Sequence, residues 1–241
     1  MPKRVAVLFV LLLSFACPAL EVAQGQVSVD DEIRAGQSLL VSFKKAQGFS
    51  DTEESKSIEA YLQKVGDKIA KNAKRKLAYK FYFDPHPAFR SAVAYPGGII
   101  IVGGGSLALM AHEDELAVVL GHEIAHVDLN QCANRVSTAM ARDHLTPAEL
   151  DKLSIEEFGG PYGKQGELDA DREGMELAVA AGYSPHAAIE LLEVYQFLSR
   201  NTKPAPRKDA PSLEERIEQA KGLIKSHNWT ESKAEVPLTF E

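Results

Sequence analysis

Near the middle of the chain stands the segment Leu116-Ala117-Val118-Val119-Leu120-Gly121-His122-Glu123-Ile124-Ala125-His126-Val127. Apolar side chains occupy nearly every face of a helix drawn through this segment, which predicts a helix buried in the protein core. Because four residues turn an α-helix by about 400°, His122 and His126 lie one above the other on a single face. Two imidazoles placed in this way are close enough to share one metal ion.

The two histidines and Glu123 form the pattern H-E-x-x-H, in which two neutral imidazoles bind zinc and the carboxylate takes a proton from water. The alternative is that both histidines are core residues hydrogen-bonded to their neighbours, with Glu123 as their partner. Burying a carboxylate and two imidazoles without a strong partner costs several kcal/mol, and a divalent cation removes that cost. We therefore predict one zinc ion per chain, with Glu123 as the general base.

A catalytic zinc site needs a third protein ligand and an open position. The candidate ligand is Glu167 in the segment Glu167-Leu168-Asp169-Ala170-Asp171, where Glu167 and Asp171 share a helical face. Asp171 is predicted to accept a hydrogen bond from a ligand histidine, as the outer partners of zinc ligands usually do. The small residues Ala170 and Gly174 allow this helix to pack closely against the motif helix. The alternative for these acidic residues is a solvated helix face.

The sequence on either side predicts an α+β protein that is mostly helical, with one small β-sheet beside the active-site helix. A Pro- and Lys-rich flexible segment at about residues 201–211 precedes a last helix that starts near Ser212. Helical spacing of apolar residues covers about residues 30–46, 52–74 and 113–200, with breaks near 146–147, 159–161 and 182–185, and strand patterns cover 80–83, 91–95 and 99–102. With no internal repeat, residues 26–241 are predicted to form a single domain.

The chain has 241 residues with a net charge of −7 and two cysteines, which excludes a disulfide scaffold and makes nucleic acid an unfavourable partner. Residues 1–25 have the pattern of a signal peptide, with Lys3 and Arg4 before a short apolar run. The predicted location is therefore the periplasm or cell envelope. Cleavage near Ala19, Ala23 or Gly25 is the favoured reading, and lipidation of Cys17 with peripheral membrane association is the alternative.

Five segments between about residues 91 and 217 resemble the zinc metallopeptidases that include the HtpX heat-shock proteases, the CAAX prenyl endopeptidase and the mitochondrial Oma-type protease. The sequence has no hydrophobic spans around this core, and in this respect the chain resembles the small, soluble, exported bacterial members of the family. In order, the segments are Ala94-Tyr95-Pro96-Gly97-Gly98, Leu120-Gly121-His122-Glu123-Ile124-Ala125-His126, Glu167-Leu168-Asp169-Ala170-Asp171, Ala181-Gly182-Tyr183-Ser184-Pro185 and Pro211-Ser212-Leu213-Glu214-Glu215-Arg216-Ile217.

The resemblance implies a zincin-like fold, with His122, His126 and Glu167 as zinc ligands, Glu123 as the base and Asp171 behind a ligand. It also implies that Arg216 stabilises the oxyanion of the reaction. The family commonly has a histidine where this chain has Ala210, so Arg216 is left to act alone. His227 is kept open as a substitute for that histidine.

These observations predict a zinc-dependent endopeptidase that hydrolyses unfolded or misfolded cell-envelope proteins. The substrate is expected to bind extended, by β-augmentation on the strand formed by Ile99, Ile100, Ile101 and Val102. The alternative is that this strand lies buried in the core. The alternative function is a zinc-stabilised, non-proteolytic chaperone or assembly factor for exported proteins.

Overall fold

The computed structural model describes residues 27–47, 52–202, 209–230 and 236–238, and the predicted signal peptide and Cys17 lie outside them. The described strands are β1 (Lys80–Asp84), β2 (Ala92–Tyr95) and β3 (Ile99–Gly103). The described helices are α1 (Val29–Gln47), α2 (Glu53–Ala70), α3 (Gly104–Leu107), α4 (Glu113–Asp128), α5 (Gln131–Asp143), α6 (Ile155–Phe158), α7 (Gly163–Ala180), α8 (Ala187–Thr202) and α9 (Leu213–His227). The prediction of a mostly helical α+β fold with a small sheet is confirmed.

The three strands form one sheet in the order β1-β3-β2, with β3 parallel to β1 and antiparallel to β2. Every residue of β3 is buried. Both edges of this strand are hydrogen-bonded to its neighbours, so its backbone has no free groups for a peptide. The prediction that Ile99, Ile100, Ile101 and Val102 accept a substrate by β-augmentation is therefore wrong, and these residues form a core strand.

The turn that joins β2 to β3 is held by the N-terminal helix. Gly97 and Gly98 have φ angles of 73° and 87°, a region that residues with a Cβ rarely adopt. The buried carboxylate of Glu32 in α1 accepts the Gly97 N–H at 3.1 Å and pairs with the Arg75 guanidinium at 2.5 Å. Helix α1 thus belongs to the same core as the sheet, although the family resemblance begins only at about residue 91.

Helices α4 and α7 cross with their backbones in contact. A Cβ atom placed on Gly121 would lie 2.5 Å from the carbonyl oxygen of Gly174, and one placed on Gly174 would lie 2.6 Å from the backbone nitrogen of His122. No larger residue fits at either position without moving a helix. The predicted close packing of the two helices at Gly174 is confirmed, and Gly121 is its counterpart on α4.

The long helical region after residue 113 contains a break that the sequence pattern did not predict. Helix α4 ends at Asp128, and Asn130 adopts a left-handed conformation with φ 60° before α5 begins at Gln131. Asparagine is among the few residues other than glycine that tolerate this region. The break brings the first residues of α5 back beside the histidines of α4.

The last described helix, α9, begins after Ser212, as the sequence pattern predicts. Ser212 caps α9, and its side chain accepts the backbone N–H of Glu215 while the Glu215 carboxylate accepts the backbone N–H of Ser212. No helix within the described ranges is long and apolar enough to cross a bilayer.

Candidate active site

Three predicted ligands converge between α4 and α7. The Nε2 atoms of His122 and His126 face each other at 3.0 Å, with their rings nearly perpendicular. Glu167 of α7 places one carboxylate oxygen 3.5 Å from Nε2 of His122 and the other 3.9 Å from Nε2 of His126. Within the described segments, these residues form the one group of three with spacing suited to a metal ion.

The hydrogen-bond partner of His126 fixes the position of its proton. Nδ1 of His126 lies 2.6 Å from the side-chain oxygen of Gln131, and the Gln131 amide nitrogen donates to the carbonyl of Gly166 at 3.1 Å. Because the Gly166 carbonyl accepts only from the amide nitrogen, the Gln131 oxygen must face the ring and accept a proton from Nδ1. Nε2 of His126 is therefore left with a lone pair directed at the cluster.

His122 is fixed in the same sense by a charged partner. Its Nδ1 lies 2.9 Å from Asp171, and the same carboxylate accepts from Nε and Nη2 of Arg216 at 2.7 and 2.5 Å. Although burial raises the pKa of Asp171, the charges of Arg216 and His122 hold that pKa well below its usual range. Asp171 is thus an ionised acceptor for Nδ1–H of His122, and this hydrogen bond turns Nε2 of His122 toward the cluster.

The cluster fits a zinc ion. Two imidazole nitrogens and a carboxylate meet at one point, which requires a proton or a metal cation between them, and two nitrogens with one oxygen are ligands that zinc accepts. Burial lowers the pKa of His122, but hydrogen bonds to Asp171 and Glu167 outweigh it and raise the pKa to about 10. Without a cation, a proton is therefore drawn to the centre of the cluster, which shows that the surroundings favour positive charge there.

Glu123 lies beside the cluster without belonging to it. Its side chain is buried, and its carboxylate accepts a hydrogen bond from the backbone of Ala94 in β2. Burial raises the pKa of Glu123 to about 7, and the nearby charge of Glu167 acts in the same direction. A carboxyl group with this pKa can exchange a proton at neutral pH, as a general base must.

A cavity of about 200 Å³ opens on His122 and Glu167. It begins at Ser91 and Ala92, at the start of β2, and continues along α4 toward the start of that helix. One part of its wall is apolar and includes Val119, Met175, Leu191 and Leu192, and the polar part includes Ser106, Tyr195 and Arg216. The cavity is large enough to receive a side chain and a stretch of extended backbone beside the cluster.

Arg216 lies in the cavity wall, as the resemblance implied, but it contacts Asp171 with two of its nitrogens. His227 lies at the far end of α9, where its ring stacks on Trp229 at a centroid distance of 4.5 Å, and it does not line the cavity. It therefore does not substitute for the histidine missing at Ala210.

Two residues of the site were not identified from the sequence. Gln131 follows His126 by five residues, and the signal was the asparagine before it, which breaks the helix. Tyr162 packs its ring against His126 at a centroid distance of 4.5 Å, and Arg135 lies over the Tyr162 ring at 3.5 Å. Cys132 is fully buried behind Tyr162.

Comparison with known proteins supports the resemblance to zinc metallopeptidases. Residues 56–154, which include the H-E-x-x-H motif, match Peptidase family M48. A mitochondrial metalloendopeptidase OMA1 of Schizosaccharomyces pombe is 35% identical over 120 residues, which cover 46% of this chain and 35% of that protein. A putative beta-barrel assembly-enhancing protease of Vibrio cholerae is 22% identical over 227 residues, which cover 82% of this chain and 46% of that protein.

The chain spans less than half the length of these curated relatives. The predicted similarity to the Oma-type metallopeptidases is nevertheless confirmed, because the matched region contains the motif helix and the sheet that supports it. Taken with the geometry around His122 and His126, this match shows that residues 56–154 are similar to peptidase family M48.

Proposed function

We propose that this protein is a zinc-dependent endopeptidase. The observation that carries the proposal is the pair of facing Nε2 atoms on His122 and His126, each directed at the cluster by an outer hydrogen bond at Nδ1. Glu123 lies beside this pair and an open cavity adjoins it. A purely structural zinc site would close around its ion, whereas a catalytic one leaves a position open.

The residues have distinct parts in peptide hydrolysis. His122, His126 and Glu167 would hold the zinc ion, which polarises the scissile carbonyl and lowers the pKa of water. Glu123 accepts the proton of the attacking water and passes it to the leaving amine. The backbone of Ala94 holds the Glu123 carboxylate in place by its hydrogen bond.

The free edge of β2 offers the backbone contacts that β3 cannot. The carbonyl of Ser91 accepts the N–H of Gly103 in β3, so the polar groups of Ala92 face away from the sheet. Ala94 also faces away, but Glu123 and the thiol of Cys132 contact its backbone. An extended peptide would therefore pair with β2 at Ala92, which lines the cavity.

Recognition through the backbone requires an extended substrate, which favours unfolded or misfolded proteins. The apolar cavity wall adds a preference for a hydrophobic side chain. The signal-peptide pattern of residues 1–25 supports an exported location, so we propose proteins of the cell envelope as substrates. The assignment of the Vibrio cholerae relative as a putative beta-barrel assembly-enhancing protease is compatible with this substrate class.

The test is digestion of casein, an unfolded substrate, by purified protein. We expect cleavage that a chelator abolishes and zinc restores. Glu123→Gln should keep the zinc and the fold but lower turnover by about 10²- to 10⁴-fold, because it removes the general base. Glu176→Gln, an exposed position on α7, is the matched control and should cleave like wild type.

Unchanged turnover in Glu123→Gln would overturn the assigned mechanism. Zinc binding without any cleavage by the wild-type protein would instead favour the non-proteolytic chaperone or assembly factor.

A further inference from the structure

On the oxyanion side of the cavity, the family resemblance assigns Arg216 alone as the donor. When water attacks a peptide bond, negative charge develops on the carbonyl oxygen, and a hydrogen-bond donor placed at that oxygen speeds the reaction. Ala210 has no side-chain donor. Arg216 donates hydrogen bonds from Nε and Nη2 to Asp171, so its guanidinium is oriented toward that carboxylate. Another polar group in the cavity wall could supply the hydrogen bond.

Tyr195 of α8 is such a group. It lines the same cavity as His122, Glu167 and Arg216, and its neighbours on the cavity face of α8 are Leu191 and Leu192. The ring is partly buried and packs against the main hydrophobic core, which limits its motion.

The Tyr195 hydroxyl is available as a donor. Burial raises its pKa above the ordinary value, so the phenol keeps its proton at neutral pH. Ser106 is 1% exposed, and its hydroxyl lies near that of Tyr195. Because the Ser106 hydroxyl is enclosed, the Tyr195 hydroxyl is the one whose hydrogen bond a bound carbonyl oxygen can accept.

We propose that Tyr195 is a catalytic residue that donates a hydrogen bond from its phenolic hydroxyl to the scissile carbonyl oxygen as negative charge develops there. The proton stays on Tyr195 throughout, so the step requires no further acid or base. Arg216 is then a positioning residue that acts on His122 through Asp171. This inference rests on the proposed peptidase function.

The test compares Tyr195→Phe with the wild-type zinc-loaded protein, using a peptide substrate whose cleavage gives kcat and KM. We expect kcat to fall by about 10²-fold with KM nearly unchanged, because the hydrogen bond forms mainly in the transition state. Zinc content and the melting temperature should match wild type. Tyr82→Phe removes the same hydroxyl from a partly buried tyrosine of β1 outside the cavity and should leave kcat unchanged.

A second measurement separates donation from packing. A phosphinic peptide carries a tetrahedral centre with a charged oxygen, so its affinity should fall in Tyr195→Phe by about the same factor as kcat. The affinity for an uncleaved peptide, measured in the Glu123→Gln background, should stay the same with and without the Tyr195 hydroxyl. A change confined to KM and peptide affinity would identify Tyr195 as a wall residue and overturn the proposal.

The outcomes also separate this inference from the proposed function. If the wild-type protein cleaves in a zinc-dependent way and Tyr195→Phe cleaves equally fast, the role of Tyr195 is wrong and the function stands. If the wild-type protein loaded with zinc does not cleave, the proposed function is wrong and the role of Tyr195 falls with it.

Discussion

The two histidines of the metal cluster are held by different kinds of neighbours. His122 contacts the ionised Asp171, which is paired in turn with Arg216 of α9. His126 contacts the neutral amide of Gln131, which is bound to the backbone of Gly166. The side chain of His122 is 15% exposed and borders the cavity, whereas that of His126 is 5% exposed and packs against Tyr162.

The outer hydrogen bonds of the two histidines therefore have different effects. Both partners fix the tautomer, but a carboxylate also makes its imidazole a more basic ligand than an amide does. The charged half of the site consists of His122, Asp171 and Arg216. It borders the cavity, where the proposed substrate would bind and where the Asp171 carboxylate balances positive charge. The neutral half consists of His126 and Gln131 and is enclosed. A second buried carboxylate at this position would need its own counter-ion. The following substitutions test this division, beginning with the ligands themselves.

Removal of either ligand should have the largest effect. His122→Ala and His126→Ala should each reduce zinc from one ion per chain to almost none, measured by atomic emission, and lower the melting temperature because zinc binding stabilises the folded state. His126→Ala should lower the melting temperature further, since the lost ring leaves a cavity against Tyr162. Full zinc occupancy in either variant would show that the cluster is not the metal site.

Asp171→Asn should have the next largest effect, because it neutralises the charged half. We expect zinc affinity, measured by chelator competition, to fall by about 10- to 100-fold. The free energy of unfolding should also drop, by about 1–3 kcal/mol, because Arg216, whose side chain is 22% exposed, loses its ionised partner. Asp169→Asn on the same helix, where the carboxylate pairs with Arg172 near the surface, should change neither quantity appreciably. Wild-type zinc affinity in Asp171→Asn would remove the basis for a charged half.

Gln131→Leu should have the smallest effect on zinc. The substitution leaves the fold of α5 intact but removes the acceptor of His126, so we expect zinc affinity to fall by about tenfold, at the lower limit for such partners. The unfolding free energy should decrease by about 1–3 kcal/mol, because Nδ1 of His126 and the Gly166 carbonyl lose their partner. A larger loss of zinc affinity than in Asp171→Asn would contradict the division between charged and neutral halves.

The ligands could be predicted from the sequence because their spacing follows a local rule. His122 and His126 are four residues apart on a helix, as are Glu167 and Asp171, and helical periodicity places each pair on one face. The presence of three strands could be predicted for the same reason. Their order could not, because the residues of Ile99–Gly103 do not indicate that β3 pairs on both sides.

The parts that were missed depend on single backbone angles or distant partners. Gln131 reaches His126 only because Asn130 is left-handed. This asparagine is the only signal of the break, because the helical spacing of apolar residues continues past it. Arg216 was identified through the family resemblance, but its contact with Asp171 joins residues 45 positions apart in the chain. The resemblance indicated that this arginine is near the site, and the structure shows which group it contacts.

The contact between Gly121 and Gly174 fixes the spacing of the two helices that carry the metal ligands. Because the backbones of α4 and α7 already touch there, the helices cannot slide closer to compensate for a shorter ligand. The oxygens of Glu167 lie 3.5 and 3.9 Å from Nε2 of His122 and His126, and a carboxylate one methylene shorter could not be brought closer by a movement of the two helices. The main chain of α4 and α7 therefore sets the distance between the ligands that the two helices carry.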